Sequence, residues 1–142
     1  MADTSDIVNA LIAKLGSDLE LLALCPNGVY LDQAPPGSTR FVIVSFVTSL
    51  DIGVFQKRAI EDGLYFIEAR MLSTVAGANT KAAAARIDAV LEGSPLPVAG
   101  YHWMTTHREE ATRITEIDAA DPSIQWFRRG GRYRVQMSLI GA

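Results

Sequence analysis

The sequence predicts one α+β domain, in which helices pack on one face of a mainly antiparallel sheet of about four strands. Two kinds of pattern support this prediction. Apolar residues recur at helical spacing near the N-terminus and again in residues 79–92, whereas other segments are rich in β-branched and aromatic residues or alternate strictly. No linker, repeat or low-complexity tract interrupts the chain, so we expect residues 1–142 to form a single domain.

The first 24 residues predict two short helices. Apolar side chains recur at every fourth position in residues 5–15, and Gly16 supplies a helix end. Ser17 and Glu20 have the spacing of a capping box, in which each side chain accepts from the free backbone N–H of the other residue. We therefore expect a second helix to begin at this pair and to reach Leu24.

A third, longer helix is predicted in the middle of the chain. It is rich in alanine, Asn79 or Thr80 can cap its N-terminus, and it extends to Glu92. Its inward stripe at helical spacing consists of Ala83, Ile87, Val90 and Leu91.

Strands are predicted on both sides of this helix. The continuous apolar run Phe41–Val47 indicates a strand buried on both faces, and the last strand, Arg132–Ile140, alternates cleanly between apolar and polar residues. The other predicted strands are Leu64–Leu72, Tyr101–Thr106 and Thr112–Ile117.

The composition argues against several functional classes. The net charge of −3 argues against bulk attraction to nucleic acid or to an anionic membrane. Cys25 is the only cysteine, so we expect no internal disulfide and a reducing compartment. We also expect no secretory signal and no membrane span, because no basic N-terminal region precedes an apolar run and no stretch approaches ~20 apolar residues.

Candidate catalytic or metal-binding groups are few. His102 and His107 lie near two glutamates, but a five-residue gap predicts that their imidazoles lie on opposite faces of a strand, and no further ligand completes a metal site. Cys25 fits a small buried thiol better than a nucleophile. The segment Gly77–Lys81 lacks the spacing of a phosphate loop. We therefore predict no enzyme activity, no metal and no cofactor.

Basic and aromatic residues are interleaved in residues 126–134. One interpretation is a hairpin in which Gly130 and Gly131 form a two-residue turn, with Trp126 opposite Val135. Opposed arginines at its mouth then hint at a contact surface, and interleaved aromatics leave open a grip on nucleic acid. The hypothetical contact surface at the hairpin tip consists of Arg128, Arg129, Arg132 and Arg134.

Residues 50–63 are too apolar for a freely solvated loop and too charged for a core strand. They predict either a surface hairpin folded back on its own domain or a projecting arm that packs on a neighbouring subunit. The residues that would make the subunit or tube interface are Ile52, Val54, Phe55 and Ile60.

One segment resembles a known family. Val29–Gly37, which contains Val29, Tyr30, Asp32, Ala34, Pro35 and Gly37, is followed closely by the strand that begins at Phe41. This order is similar to the opening signature of the tail completion or tail terminator proteins of long-tailed, non-contractile bacteriophages and gene transfer particles. The likeness extends from about Ile7 to Ile140, because a strand, an alanine-rich helix and a final alternating strand follow in the same order. The signature itself is structural, since Asp32 can bond backbone amides and the prolines hold an extended path.

The resemblance implies a homohexameric ring at the head-proximal end of the virion tail, made in the cytoplasm of the bacterial host. Such a ring caps the tube of major tail protein, meets the head–tail connector or stopper protein, and passes DNA through its lumen without sequence-specific binding. The alternatives are another connector subunit, such as a stopper or head-completion protein, and a small cytosolic domain that binds a ligand or RNA.

Overall fold

The computed structural model describes residues 4–54, 57–74 and 79–140. Five strands form one sheet in the order β1-β2-β3-β5-β4. The strands are β1 (Val29–Leu31), β2 (Arg40–Val54), β3 (Lys57–Leu72), β4 (Tyr101–Ile117) and β5 (Gln125–Leu139). Strands β2 to β5 pair antiparallel, whereas the three-residue β1 pairs parallel with β2. The α+β prediction agrees with this sheet, but the sheet has one strand more than expected, because the extended segment after Gly28 pairs along β2.

Three helices accompany the sheet: α1 (Thr4–Gly16), α2 (Leu19–Leu24) and α3 (Thr80–Leu91). Asn79 caps α3 as predicted, since its Oδ1 accepts from the backbone N–H of Ala82 at 3.0 Å. Within the described residues, no helix is long and apolar enough to cross a membrane.

The predicted capping box at Ser17 is wrong by one residue. Asp18 caps α2, because its Oδ2 accepts from the backbone N–H of Leu21 at 2.9 Å. The Ser17 hydroxyl instead donates to the Lys14 carbonyl at 2.9 Å and so completes the end of α1. Asp18 also receives two hydrogen bonds from Arg86, at 2.6 and 2.7 Å, which tie α2 to α3.

The hydrophobic core lies between the helices and one face of the sheet, as the one-face prediction requires. Each helix contributes an apolar stripe, and alternate residues of β2, β3 and β5 meet these stripes. Fully buried side chains of the core include Leu11, Leu21, Val44, Ile67, Ile87, Tyr133 and Val135. A polar contact also crosses this layer, because the Tyr133 hydroxyl donates to Asp88 of α3 at 2.8 Å. Burial and this hydrogen bond raise the pKa of the Tyr133 phenol.

The predicted hairpin at Gly130–Gly131 is wrong. Both glycines lie in the middle of the continuous strand β5, where Gly130 pairs with Glu68 and Gly131 pairs with Ile67. A Cβ at Gly130 would lie 2.0 Å from the carbonyl oxygen of Ile67, and a Cβ at Gly131 would lie 2.5 Å from that of Glu110. The glycines therefore permit a close approach of three strands rather than a turn.

The two strands predicted after residue 100 are one strand. β4 runs unbroken from Tyr101 to Ile117 and pairs along β5, with register shifts between Trp103 and Thr105 and between Arg108 and Glu110. Each shift inserts an extra residue, so the side-chain alternation changes phase at these bulges. Because of this change of phase, the periodicity of the sequence predicted two strands where the structure has one.

The predicted arm at residues 50–63 lies largely inside the sheet. β2 and β3 form a hairpin, and β3 pairs with β5 from Ile60 onward. Only the last residues of this hairpin extend past β5, and its turn residues lie outside the described ranges. Glu61 and Asp62, expected to be solvated, are buried instead, at 3% and 8% exposure. The reason is that each is satisfied inside the fold: Tyr101 donates to Glu61, and Arg134 and Gln136 donate to Asp62.

We predict that Gly130→Ala destabilises the protein by about 1–3 kcal/mol, the usual cost of overpacking, because the added methyl group meets the backbone of β3. Thermal denaturation followed by circular dichroism measures the change. Gly16→Ala is the matched control, since a Cβ at Gly16 meets nothing within 4 Å. Equal melting temperatures for the two variants would contradict the close approach.

A second prediction concerns pH. The hydrogen bonds from Arg86, with support from the backbone N–H of Leu21, hold the pKa of Asp18 below its ordinary value of about 3.9. Because the pKa is lower in the folded state, the pair stabilises the fold above the unfolded pKa and loses this effect as pH falls through the folded pKa. Asp18→Asn, which keeps a capping oxygen, should lower the melting temperature by about 2–4 °C at pH 7, as expected for ~1 kcal/mol.

The same difference should shrink as the pH falls below the ordinary pKa of aspartate, and it should vanish once the pH lies below the lowered pKa of folded Asp18, where the wild-type carboxylate is itself protonated. Asp121→Asn serves as the control. The pKa of Asp121 is also lowered, but through hydrogen bonds from the neighbouring Ser123 rather than through an ion pair between helices. A difference for Asp18→Asn that stays unchanged from pH 7 to the lowest pH at which the protein remains folded would show that the charge of Asp18 plays no part.

Candidate interaction surfaces

The helices leave one face of the sheet uncovered, and we call it the open face. It carries the side chains that alternate with the core residues in β2 to β5. Those of β2 are apolar or hydroxyl side chains up to Ile52, and the charged ones belong to β3, β4 and β5. At its centre, Glu68 is fully buried and its Oε1 accepts from Arg70 at 2.6 Å and from Arg128 at 2.8 Å. Arg128 also donates to Glu116 of β4 at 2.7 Å. This cluster joins three strands through charge-assisted hydrogen bonds.

Gly130 lies beside Glu68 in the sheet and presents no side chain over it. Thr112 follows in the same row, opposite Gly130 on β4. Within the described residues, Oε2 of Glu68 and Oγ1 of Thr112 are buried without a hydrogen-bond partner. Because this second oxygen of Glu68 accepts no hydrogen bond, the two arginines at Oε1 must offset the desolvation cost of the buried carboxylate.

A second charged cluster lies at the other end of the open face. Arg134 donates to Asp62 at 2.6 Å and to both carboxylate oxygens of Glu109, and Gln136 donates to Asp62 at 3.0 Å. Hydrogen bonds from Arg134 hold the pKa of Glu109 below its usual range. The same bonds, to Glu109 and Asp62, raise the pKa of Arg134. Arg134 is thus committed to internal ion pairs.

The four arginines of the predicted contact surface are therefore not grouped at a hairpin tip. The open face carries Arg128, Arg132 and Arg134 at alternating positions of β5. Arg129 lies on the opposite face, which the helices cover. Arg132 is 44% exposed and stands 4.0 Å from Glu110. Of the three on the open face, Arg132 keeps the most charge available for a partner. The predicted pairing of Trp126 with Val135 is also wrong, because Trp126 pairs with Leu72 and Glu116.

A groove of about 770 Å³ lies over the open face next to Arg132. Phe66 and Arg132 form its floor, because they are paired neighbours on β3 and β5. Its two walls come from residues 45–47 of β2 and residues 110–114 of β4. The groove is therefore bounded by the two outer long strands of the sheet, and its lining mixes charged and apolar side chains.

The predicted interface residues of the arm are only partly described. Ile52 is 37% exposed near the end of β2, and Ile60 is half-buried at the start of β3. Phe55 lies outside the described residues, and the contacts of Val54 fall outside them as well. The role of the four residues in an interface stays a prediction. Three other exposed apolar side chains of β2 were absent from the predicted interface set, namely Phe46, Val47 and Leu50.

The family signature forms β1 and the turn that follows it. Val29–Leu31 pairs parallel with Val42–Val44, and Asp32 adopts a left-handed backbone conformation with φ of 57° as the chain leaves the strand. Gly37 has φ of 86°. Asn27, which sequence reasoning missed, holds the loop closed, because its Oδ1 accepts from the backbone N–H of Thr39 at 3.1 Å and of Arg40 at 2.9 Å.

The histidines do not lie as predicted. The bulge after Trp103 brings His102 and His107 to the same face of β4, because they pair with Ser138 and Arg134, which both belong to the open face. They are still four β5 residues apart, or ~13 Å at the rise of an antiparallel strand. Among the described residues, no group of three histidine, cysteine or acidic side chains could hold a metal ion.

Burial raises the pKa of the Cys25 thiol to about 12, so the thiolate is not populated near neutral pH.

We predict that Glu68→Ala destabilises the protein by about 2–3 kcal/mol, because it leaves two arginines without their shared partner. This value lies below the full cost for a buried pair, since both arginines keep partial solvent access. Chemical denaturation measures the free energy of unfolding. Glu116→Ala is the control, because Glu116 is 56% exposed and its loss should cost less than about 1 kcal/mol. Equal losses for the two variants would contradict the central role of Glu68.

Comparisons with known proteins found a similar fold in a solved assembly. No family model matches the sequence, and a search of curated proteins found no match. Among solved structures, the chain is similar to a chain in the virion of a native gene transfer agent particle, with a TM-score of 0.62 and 20% sequence identity. The alignment covers 93% of this chain and 94% of that chain. The two proteins therefore share a fold over nearly their whole lengths.

Proposed function

We propose that this protein is a structural subunit of a virion, and that it forms the ring that terminates the tail tube and joins the tail to the head connector. The observation that carries the proposal is the shared fold with a chain of a gene transfer agent virion, which extends over nearly all of both chains. The Val29–Gly37 segment supports the finer assignment, since it resembles the tail terminator signature.

The surface is consistent with a subunit that other proteins cover. Large apolar side chains are exposed along β2, with Leu50 at 62%, and at the end of β4, with Ile117 at 62%. Aliphatic side chains of this size, when grouped on strand edges, are typical of protein contacts rather than of a solvated surface. We propose that a homohexamer, the major tail tube protein and the head–tail connector or stopper protein cover these residues, at the head-proximal end of the tail.

The open face argues against RNA binding as the main function. Two of the arginines that could meet a phosphate backbone, Arg128 and Arg134, are paired with acidic side chains at 2.6–2.8 Å. Non-specific nucleic-acid affinity depends on free cations that displace counterions from phosphates. A surface whose charges are paired in this way instead suits DNA that passes without being held. The same ion pairs are compatible with the other connector roles, such as a stopper.

Deletion of the gene from the phage or bacterium that encodes the protein tests the tail role. Without a terminator, the tube protein should continue to polymerise, so electron microscopy should show tails of irregular, excessive length that are not joined to heads. Expression of the wild-type chain in trans is the control and should restore tails of uniform length. Normal tails without heads would point to a stopper, and normal joined particles would refute the proposal.

Native mass spectrometry tests the ring separately. We expect a species of six times the 15.4 kDa subunit mass, in concentrated protein or in material released from particles. Particles are included because ring closure can require the tube end as a template. A strict monomer in both samples would refute the hexamer.

A further inference from the structure

Two segments of the sheet edge lack a partner strand within the described residues. β1 pairs with β2 only at Val42–Val44, so residues 46–54 of β2 form an open edge, which we call the β2 edge. β4 is the last strand of the sheet and pairs only with β5. Residues 110–117 form the second open edge, which we call the β4 edge.

The remaining part of each strand is covered within the subunit. The backbone N–H of Asp32 donates to the Val44 carbonyl at 3.0 Å, which ends the contact of β1 with β2. On β4, the Thr106 carbonyl accepts from the backbone N–H of Gly93 at 2.9 Å, and Glu92 accepts from the backbone N–H of Arg108 at 2.8 Å. The chain thus blocks one half of each outer strand and leaves two open edges of similar length.

The open edges also carry most of the exposed apolar side chains of the sheet. These are Phe46, Val47, Leu50 and Ile52 on the β2 edge, and Ile114 and Ile117 on the β4 edge. Natural sheets usually protect open edges with lysine or proline. The β2 edge has neither, and Asp51 is its one charged residue. An unprotected apolar edge of this length is the kind of surface that pairs with another strand.

We propose that the β2 edge of one copy pairs antiparallel with the β4 edge of the next copy, which gives a sheet that continues across the subunit boundary. The inference deepens the proposed function and rests on its self-association. Strand direction supports it. β2, β3, β5 and β4 alternate in direction, so β2 and β4 point opposite ways. Two copies in the same orientation therefore continue the alternation where β4 meets the next β2.

One register matches the faces of the two edges. When Leu50 lies opposite Ile114, these two exposed apolar side chains meet on the open face, because Leu50 pairs with Asp62 and Ile114 pairs with Arg128 within the subunit. The same register places Thr48 opposite Glu116. Between these two pairs, Ser49 falls opposite Thr115, both on the helix-covered side. The faces of the two edges therefore agree from Thr48 to Ile52.

The contact is head-to-tail, since it joins two different edges. Contacts of this type generate rings when the rotation between copies closes, whereas a two-fold dimer would join an edge to itself. Because the open halves lie at opposite ends of the sheet, each copy is offset from the next along the strand direction. A closed ring then has strands inclined to its axis, as in β-barrels.

Disulfide trapping tests this pairing. Thr48→Cys and Glu116→Cys are combined in one chain, and the native Cys25 is buried and does not compete. The backbone N–H and C=O groups of Thr48 and Glu116 bond within their own subunits. Across the proposed contact the two residues therefore form a non-hydrogen-bonded antiparallel pair, the closer type, with Cα atoms about 4.5 Å apart. That separation suits a disulfide. The matched control is Thr48→Cys with Thr115→Cys, where the second thiol lies on the other face of β4.

Under mild oxidation of concentrated protein, we expect the first pair to form covalent dimers and longer ladders, and the control pair to remain monomeric. Each single variant should dimerise only when mixed with the other. Self-dimers of Thr48→Cys alone, or equal ladders from the control pair, would overturn the head-to-tail register. Hexamers in native mass spectrometry without cross-linking at this pair would also overturn it, while leaving the proposed function intact. Cross-linking at this pair, together with normal tails after gene deletion, would support the register and refute the proposed function.

Discussion

The arrangement of the whole sheet depends on how closely β5 approaches its neighbours at Gly130 and Gly131. A single methyl group at Gly130 would collide with the backbone of β3, and one at Gly131 would collide with that of β4. The strands can therefore pair continuously through this point only because both positions lack a side chain. This contact gives β5 its central position between β3 and β4. It also places Arg128 and Arg134 within reach of acidic partners on both neighbouring strands.

The two faces of the sheet are stabilised by different physics. On the helix side, apolar burial dominates, and side chains such as Leu11, Ile67 and Ile87 are completely removed from water. On the open face, apolar side chains such as Ile43 and Leu64 are buried beside charged groups that are paired across strands. Such pairs add little net stability, because the cost of desolvation offsets the attraction. They do penalise a slipped register, since a shift of one residue would separate Glu68 from Arg128 and Asp62 from Arg134.

This division bears on how the protein can work in an assembly. A face that holds its charges in internal pairs presents mixed polarity rather than a strong field of one sign, so it can lie next to DNA or other subunits without binding either tightly. The apolar residues that lack internal partners lie on the strand edges instead. In the proposed ring, association and passage of DNA would then use different parts of the same sheet.

Local chemistry determined the parts of the fold that the sequence predicts well. Helical spacing in residues 5–15, the cap at Asn79, and the apolar run that begins at Phe41 all depend on near neighbours, and the structure contains each of them. The alternation of Tyr133, Val135 and Met137 identified the core side of β5 for the same reason. Each of these signals is complete within one or two turns of helix or a few residues of strand.

Tertiary structure decided what local chemistry leaves ambiguous. A glycine pair serves a tight turn and a close approach between strands equally well, and only the presence of β3 and β4 on either side of β5 selected the second. The bulges in β4 reversed the predicted faces of His102 and His107, because an added residue is visible only against a partner strand. Glu61 and Asp62 are buried because they have hydrogen-bond partners inside the fold. These partners lie 40 to 74 positions away along the chain, so the local pattern does not reveal them. The sequence alone therefore determined the helices, most strands and the core, whereas pairing between distant strands decided which charges are buried and which edges remain open.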